Sequence, residues 1–255
     1  MKQWQTTTFV LAAVCSSVSY AADFSFDRPG SGFGTGITPV GQLAWEQGLP
    51  TVTYDKQRVE NGQEKTTTIQ GDLLLRTGLA DGLELQLGWD GPAWTQIKNP
   101  GRKTEDHGLG DVSVGLKKAI DLNDEKMSMA VLARATIATG NKNFTAGDDI
   151  YTLGSTVMYQ QNDLVSTGIT MLYEIQDGDW SVSAIPTLNY TFSNKWSGFS
   201  EFVYRKQESL ADQTSLATGV IYALNARTQL DASIGVGLAG DAPDYTGGLG
   251  ISFLF

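Results

Sequence analysis

The sequence predicts an all-β protein, a transmembrane antiparallel β-barrel of about 12 strands. Three observations carry that prediction. Apolar and polar residues alternate with period two through nearly the whole chain, tight turns alternate with longer polar connections, and the last residue is an aromatic ending an apolar stripe.

The alternation is explicit in several segments. Leu83, Leu85, Leu87 and Trp89 share one face, opposite Glu84, Gln86, Gly88 and Asp90. Val112, Val114 and Leu116 oppose Ser113, Gly115 and Lys117, and Leu230, Ala232, Ile234 and Val236 oppose Asp231, Ser233 and Gly235. Successive strand side chains point to opposite faces, so this pattern makes a two-faced sheet and no helix. Such segments lie near 39–55, 66–79, 82–92, 108–120, 126–139, 150–161, 163–175, 179–192, 196–206, 212–224, 227–238 and 244–255. An even strand total leaves both termini on the periplasmic side of a bacterial barrel.

The connections are an independent check. Ala80-Asp-Gly82, Gln161-Asn162, Ser193-Asn-Lys195 and Asn225-Ala226 have turn composition at hairpin length. Lys56–Lys65, Pro92–His107 and Gly140–Asp149 are longer and polar, and are expected as external loops. A soluble β-sandwich would also alternate. Its strands average about 5–6 residues, however, and it has no reason to place aromatics such as Trp45, Tyr151, Trp180, Trp196 and Tyr245 near segment ends.

The final strand gives Tyr245, Leu249, Ile251, Phe253 and Phe255 to one face, an expected assembly signal for barrel insertion. At the other end, Lys2, the apolar run Thr8–Val14 and Ser19-Tyr-Ala21 read as a signal peptide over 1–21. Residues 22–38 are expected as a periplasmic Gly-rich lead-in that could also fold into the barrel mouth, and 39–255 as the barrel. Cys15, the single cysteine, leaves with the signal peptide, so disulfides and thiol chemistry are excluded. A formal charge of -10 argues against nucleic acid.

With the apolar stripe toward lipid, the opposite parity lines a lumen. It puts Glu46, Asp72, Arg76, Glu84, Asp111, Lys117, Arg134, Glu174, Glu201, Arg205 and Asp231 inside. A lysine or arginine facing mid-bilayer would cost about 2–4 kcal/mol, which fixes the assignment. About eight strands are filled by their own side chains and 16–18 leave an open channel, so twelve predicts a narrow, polar, partly occluded pore. The acidic excess predicts weak cation preference. The same charges could instead form a network that only rigidifies the wall.

No enzyme, metal or cofactor chemistry is expected. His107, the only histidine, neighbours Glu105 and Asp106 but has no serine before Ser113. Asp148-Asp149 and Glu105-Asp106 lack the spaced oxygen ligands of a calcium loop. Gly30-Ser-Gly-Phe-Gly-Thr-Gly36 follows no strand and opens no helix, so it is not a dinucleotide motif.

Several motifs in order resemble a family of Gram-negative outer-membrane barrels labelled as transporters or "MetA-pathway of phenol degradation" proteins. They are Arg28-Pro-Gly-Ser-Gly-Phe-Gly-Thr-Gly36, Leu73-Leu-Leu-Arg-Thr-Gly-Leu79, Leu83-Glu-Leu-Gln-Leu-Gly-Trp89, Gly108-Leu-Gly-Asp-Val-Ser-Val-Gly-Leu-Lys117 and Leu230-Asp-Ala-Ser-Ile-Gly-Val-Gly-Leu238. Ala138 stands where the family has proline before Thr139-Gly140. The resemblance implies an outer-membrane channel or porin-like protein passing small-molecule solutes. Its implied partners are the lipid bilayer and lipopolysaccharide, the barrel-insertion machinery and periplasmic chaperones. A non-conducting barrel with a structural or surface-binding role is the alternative, and an outer-membrane hydrolase the next.

Overall fold

The computed structural model describes residues 24–60 and 62–255. The expected signal peptide and Cys15 lie outside the described residues. Alternation is realised as fifteen strands: β1 (Leu43–Val59), β2 (Gly62–Gln70), β3 (Leu73–Ala80), β4 (Leu83–Trp89), β5 (Pro92–Asn99), β6 (Arg102–Leu109), β7 (Val112–Ile120), β8 (Met127–Ile137), β9 (Ile150–Asn162), β10 (Val165–Gln176), β11 (Asp179–Thr191), β12 (Trp196–Gln207), β13 (Gln213–Asn225), β14 (Thr228–Ala239) and β15 (Tyr245–Leu254). All pair antiparallel, and β1 closes the ring on β15.

The ring counts twelve strands, because β2–β3, β4–β5 and β6–β7 are each one strand with a break. Thus β1 pairs with β3 through Leu43–Gln47 and with β2 through Thr51–Val59. The breaks fall side by side at Gly71-Asp72, Asp90-Gly91 and Gly110-Asp111, and backbone bonds cross them: Gly71 N to Pro92 O at 3.0 Å, and Gly110 N to Gly91 O at 2.8 Å. Gly91 has φ +66°, and a Cβ there would strike the Gly71 carbonyl, so only glycine fits. The inward parity switches at Asp90-Gly91, from Glu84 and Gln86 in β4 to Ala93 in β5, as a bulge requires.

Two of the expected external loops are corrected here. Lys56–Lys65 and Pro92–His107 belong to β-hairpins, β1 pairing with β2 and β5 with β6, the latter turning at 100–101. Together β1, β2, β5 and β6 form a four-stranded sheet rising past the last β1–β15 pair, Tyr54 with Tyr245. Their residues are polar on both faces, so no apolar stripe marked them as strands. Gly140–Asp149 is a loop.

Burial is inverted relative to a water-soluble protein. Arg76, Lys117, Glu46 and Glu84 have no exposed surface, whereas Leu153, Ile234 and Phe255 are more than 60% exposed on the outside (64%, 61% and 63%). A continuous apolar outer face of this extent needs an apolar surround. Twelve strands about 4.8 Å apart and tilted about 40° give a backbone radius of about 12 Å. Packed strand layers sit about 10 Å apart, so this bore accommodates one further chain.

Candidate functional site

Residues 24–38 are that chain. The sequence left them between a periplasmic lead-in and the barrel mouth; in the structure they run along the inward faces of the wall. Phe33 anchors the segment by packing on Ala130, Leu132 and Leu172. A side chain on Gly32 would collide with Thr170, so the backbone lies directly on the wall.

Arg76 organises the tier nearest the ends of β1 and β15 that meet at Leu43 and Phe255. Its Nε donates to Glu84 Oε1 at 2.9 Å and its Nη1 to Glu46 Oε1 at 2.8 Å. Its Nη2 reaches Glu84 Oε2 at 3.1 Å. The remaining donors meet the carbonyls of Ser25 and Gly36, both at 2.9 Å, so the guanidinium fork is fully used. Lys117 Nζ lies 3.0 Å from Asp27 Oδ1 and 3.1 Å from Glu84 Oε1. The wall's members of this set come from β1, β3, β4 and β7, neighbours that bring Glu46, Arg76, Glu84 and Lys117 together although the first and last lie 71 positions apart.

Arg28 pins the segment to the seam of the ring. Its Nη1 is 2.6 Å from Asp72 Oδ2, and its Nη2 is 3.4 Å from Asp231 Oδ1 and 3.3 Å from the Leu249 carbonyl. The segment's own amides complete the set. Asp27 N and Arg28 N donate to Glu46, Thr38 N to Glu84 at 2.6 Å, and Ser31 N to Glu201 at 3.0 Å, with the Ser31 hydroxyl also on Glu201.

A second tier lies toward the external end. A cavity of about 490 Å³ is lined by Asp90, Asp111, Ser113, Arg134, Thr136 and Glu174 among others, and roofed by the loop residues Asn143–Ala146. Asp111 holds that roof by accepting the Gly140 and Ala146 amides, both at 2.7 Å. Arg205 Nη2 pairs with Glu174 at 3.3 Å. The Arg134 side chain makes no ion pair or hydrogen bond among the described residues, and its Nε is buried without a partner. On the inward face of β6, the Asn143 amide and the His107 N–H hold the Asp106 carboxyl below the usual carboxylate range.

All eleven lumen candidates therefore face inward, in two tiers. Glu46, Asp72, Arg76, Glu84, Lys117, Glu201 and Asp231 meet the N-terminal segment; Asp111, Arg134 and Glu174 line the vestibule, and Arg205 pairs with Glu174. Sequence reasoning missed Asp27 and Arg28, the adjacent charge pair in an otherwise uncharged glycine-rich stretch. His107 stands on the outward face of its hairpin, opposite Trp94, while Ser113 faces the lumen. Asp149 accepts the Ala138 amide at 2.9 Å. Tyr245, Leu249, Ile251 and Phe253 face outward along β15, and Phe255 exchanges both backbone bonds with Leu43 at the seam.

A family described as "MetA-pathway of phenol degradation" matches residues 26–255. The outer membrane channel of the COG4313 group from Pseudomonas putida F1 superposes with a TM-score of 0.66 at 15% identity, over 89% of this chain and 99% of that one. The KdgM porin in complex with disordered oligogalacturonate gives 0.56 at 11% identity, over 84% and 99%. The NanC porin gives 0.54 at 11% identity, over 83% and 98%. These likenesses are of fold. No curated protein matches the chain.

Proposed function

The chain belongs to the family that this match defines, and from that premise we propose that it is an outer-membrane channel for passive passage of small polar solutes, closed at rest by its own N-terminal segment. The observation that carries this reading is the kind of bond at each boundary. The wall is closed by a continuous backbone ladder, from β1 round to β15. The segment is held inside it by a few ion pairs and by single hydrogen bonds between its backbone and wall side chains, with one small apolar anchor at Phe33. The plug can leave without breaking the barrel.

The vestibule supplies the rest. Its lining is rich in hydroxyls, carboxylates and guanidinium, suited to solutes that exchange water for hydrogen bonds. Lumen carboxylates outnumber cations, which favours passage of cations. Lipid, lipopolysaccharide and the barrel-insertion machinery are the partners this setting requires.

Purified protein in planar bilayers tests the proposal. The intact chain is expected to show low, intermittent, weakly cation-selective conductance, and a variant lacking residues 24–37 a larger and steadier one. Silence from both, with the proteins folded, refutes it. A non-conducting structural barrel is the second reading, favoured by the complete satisfaction of Arg76, and that silence is its signature.

A further inference from the structure

The external hairpins carry a row of like charges that β-sheet pairing rules do not favour. Lys56 is the register partner of Lys65, Lys65 of Lys98, and Lys98 of Lys103, across β1, β2, β5 and β6. Directly opposite side chains share a face with Cβ atoms about 4.5–5.5 Å apart, and like charges there repel. All four lysines are exposed. Arg58 adds a fifth cation on the same face, two residues along β1.

That face is the lipid side. One level below the lysines sit Tyr54, Thr67, Gln96 and Glu105, and below those Val52, Ile69, Trp94 and His107. Tyr54 packs against Tyr245 with ring centroids 6.3 Å apart, at the upper edge of the apolar band. Two residues further on, allowing for tilt, is a rise of about 5 Å. The row therefore starts where hydrocarbon gives way to headgroups.

The sheet also segregates its charges. Asp55, Glu64 and Asp106 project from the opposite face, with Arg102. The outward carboxylate is Glu105, which lies 2.6 Å from Lys103 Nζ. Lys56, Lys65 and Lys98 have no carboxylate partner among the described residues.

We propose that this row is a binding site for the phosphate groups of the outer-leaflet glycolipid. Lysine meets phosphate as a point charge, and successive lysines offer several such contacts along one headgroup. The aliphatic and aromatic level beneath would seat the acyl chains of the same molecule. A free anion would gain nothing from that apolar floor. The site rests on the membrane orientation of the proposed function and not on conduction, so it stands or falls separately from channel activity.

The test uses the full-length folded protein in detergent, with diphosphorylated lipid A as the probe and native mass spectrometry as the readout. Wild type is expected to prefer it over the same lipid stripped of phosphates, and excess inorganic phosphate should not displace it. Combined Lys56→Gln, Lys65→Gln and Lys98→Gln should weaken binding about a hundredfold, each surface lysine contributing about fivefold. The matching lysine-to-arginine set should retain it, as should glutamine at Lys118, Lys126 and Lys195 near the opposite end. Equal binding of both lipids by wild type, displacement by inorganic phosphate, or undiminished binding by the folded triple variant would overturn the proposal. The wild-type comparison decides even if the triple variant fails to fold.

Discussion

Arg28→Ala should unseat the N-terminal segment while leaving the barrel intact. The arginine is the only side chain of that segment bonded to carboxylates on both sides of the β1–β15 seam, Asp72 on one and Asp231 on the other. A hydrogen bond to a charged group contributes about 1.5–3 kcal/mol net. The 2.6 Å contact belongs near the upper end and the 3.4 Å contact near nothing, since geometry weakens it. Arg28 is 14% exposed and Asp72 31% exposed, so solvent screens part of the gain. A loss of about 2 kcal/mol is the working figure, and at about 1.4 kcal/mol per decade it shifts the seated-to-released ratio roughly thirtyfold. The backbone bonds of Asp27 and Arg28 to Glu46 survive the change. In planar bilayers, the fraction of time in the high-conductance state should rise by about that factor, capped once release is complete. Arg28→Lys should fall between, because an ammonium can hold one carboxylate but not fork to two. If Arg28→Ala gates like wild type while removal of residues 24–37 opens the pore, the ion pairs at the seam are not what hold the plug, and the reasoning fails.

Two further outcomes follow from the same wall. Arg76→Met leaves buried Glu46 without a cation and buried Glu84 with Lys117 alone, and should destabilise the barrel by about 3–5 kcal/mol; a urea titration followed by heat-modifiable gel migration would show an unchanged midpoint if the network were dispensable. Phe255→Ala keeps the backbone exchange with Leu43 but removes the terminal ring, so insertion in cells should drop while refolding into detergent is unaffected. Equal insertion of both proteins would mean that the ring is not read.

The wall was legible because lipid and lumen impose a strict period of two. Leu83–Trp89 and Val112–Lys117 have to alternate whatever else they do, and the cost of an outward Arg76 or Lys117 fixes which parity is inside. The hairpin extensions were not legible for the complementary reason. Thr51–Val59 and Gly62–Gln70 stand largely beyond the apolar band with polar residues on both faces, so the constraint that writes the pattern is absent there. Their lysine row is visible only once the register places Lys56, Lys65, Lys98 and Lys103 side by side.

The plug escaped for a deeper reason, since its bonds are made largely by backbone. On the wall, the carboxylates Glu46, Asp72, Glu84, Asp111, Glu174, Glu201 and Asp231 outnumber Arg76, Lys117, Arg134 and Arg205. Asp27 and Arg28 cancel, so the segment brings no net charge to correct that excess. It brings amides. Those of Asp27, Arg28, Ser31 and Thr38 serve Glu46, Glu201 and Glu84, while the carbonyls of Ser25, Gly34 and Gly36 serve Arg76 and Lys117. Main-chain groups can reach a wall this closely only where side chains do not intervene, which is the physical role of Gly32, where a Cβ would strike Thr170. A glycine-rich stretch without a strand or helix beside it therefore has a third reading besides nucleotide loop and flexible linker. Preceding a barrel whose inward charges do not balance, it is a chain that satisfies the hydrogen bonding of those charges with its own backbone groups.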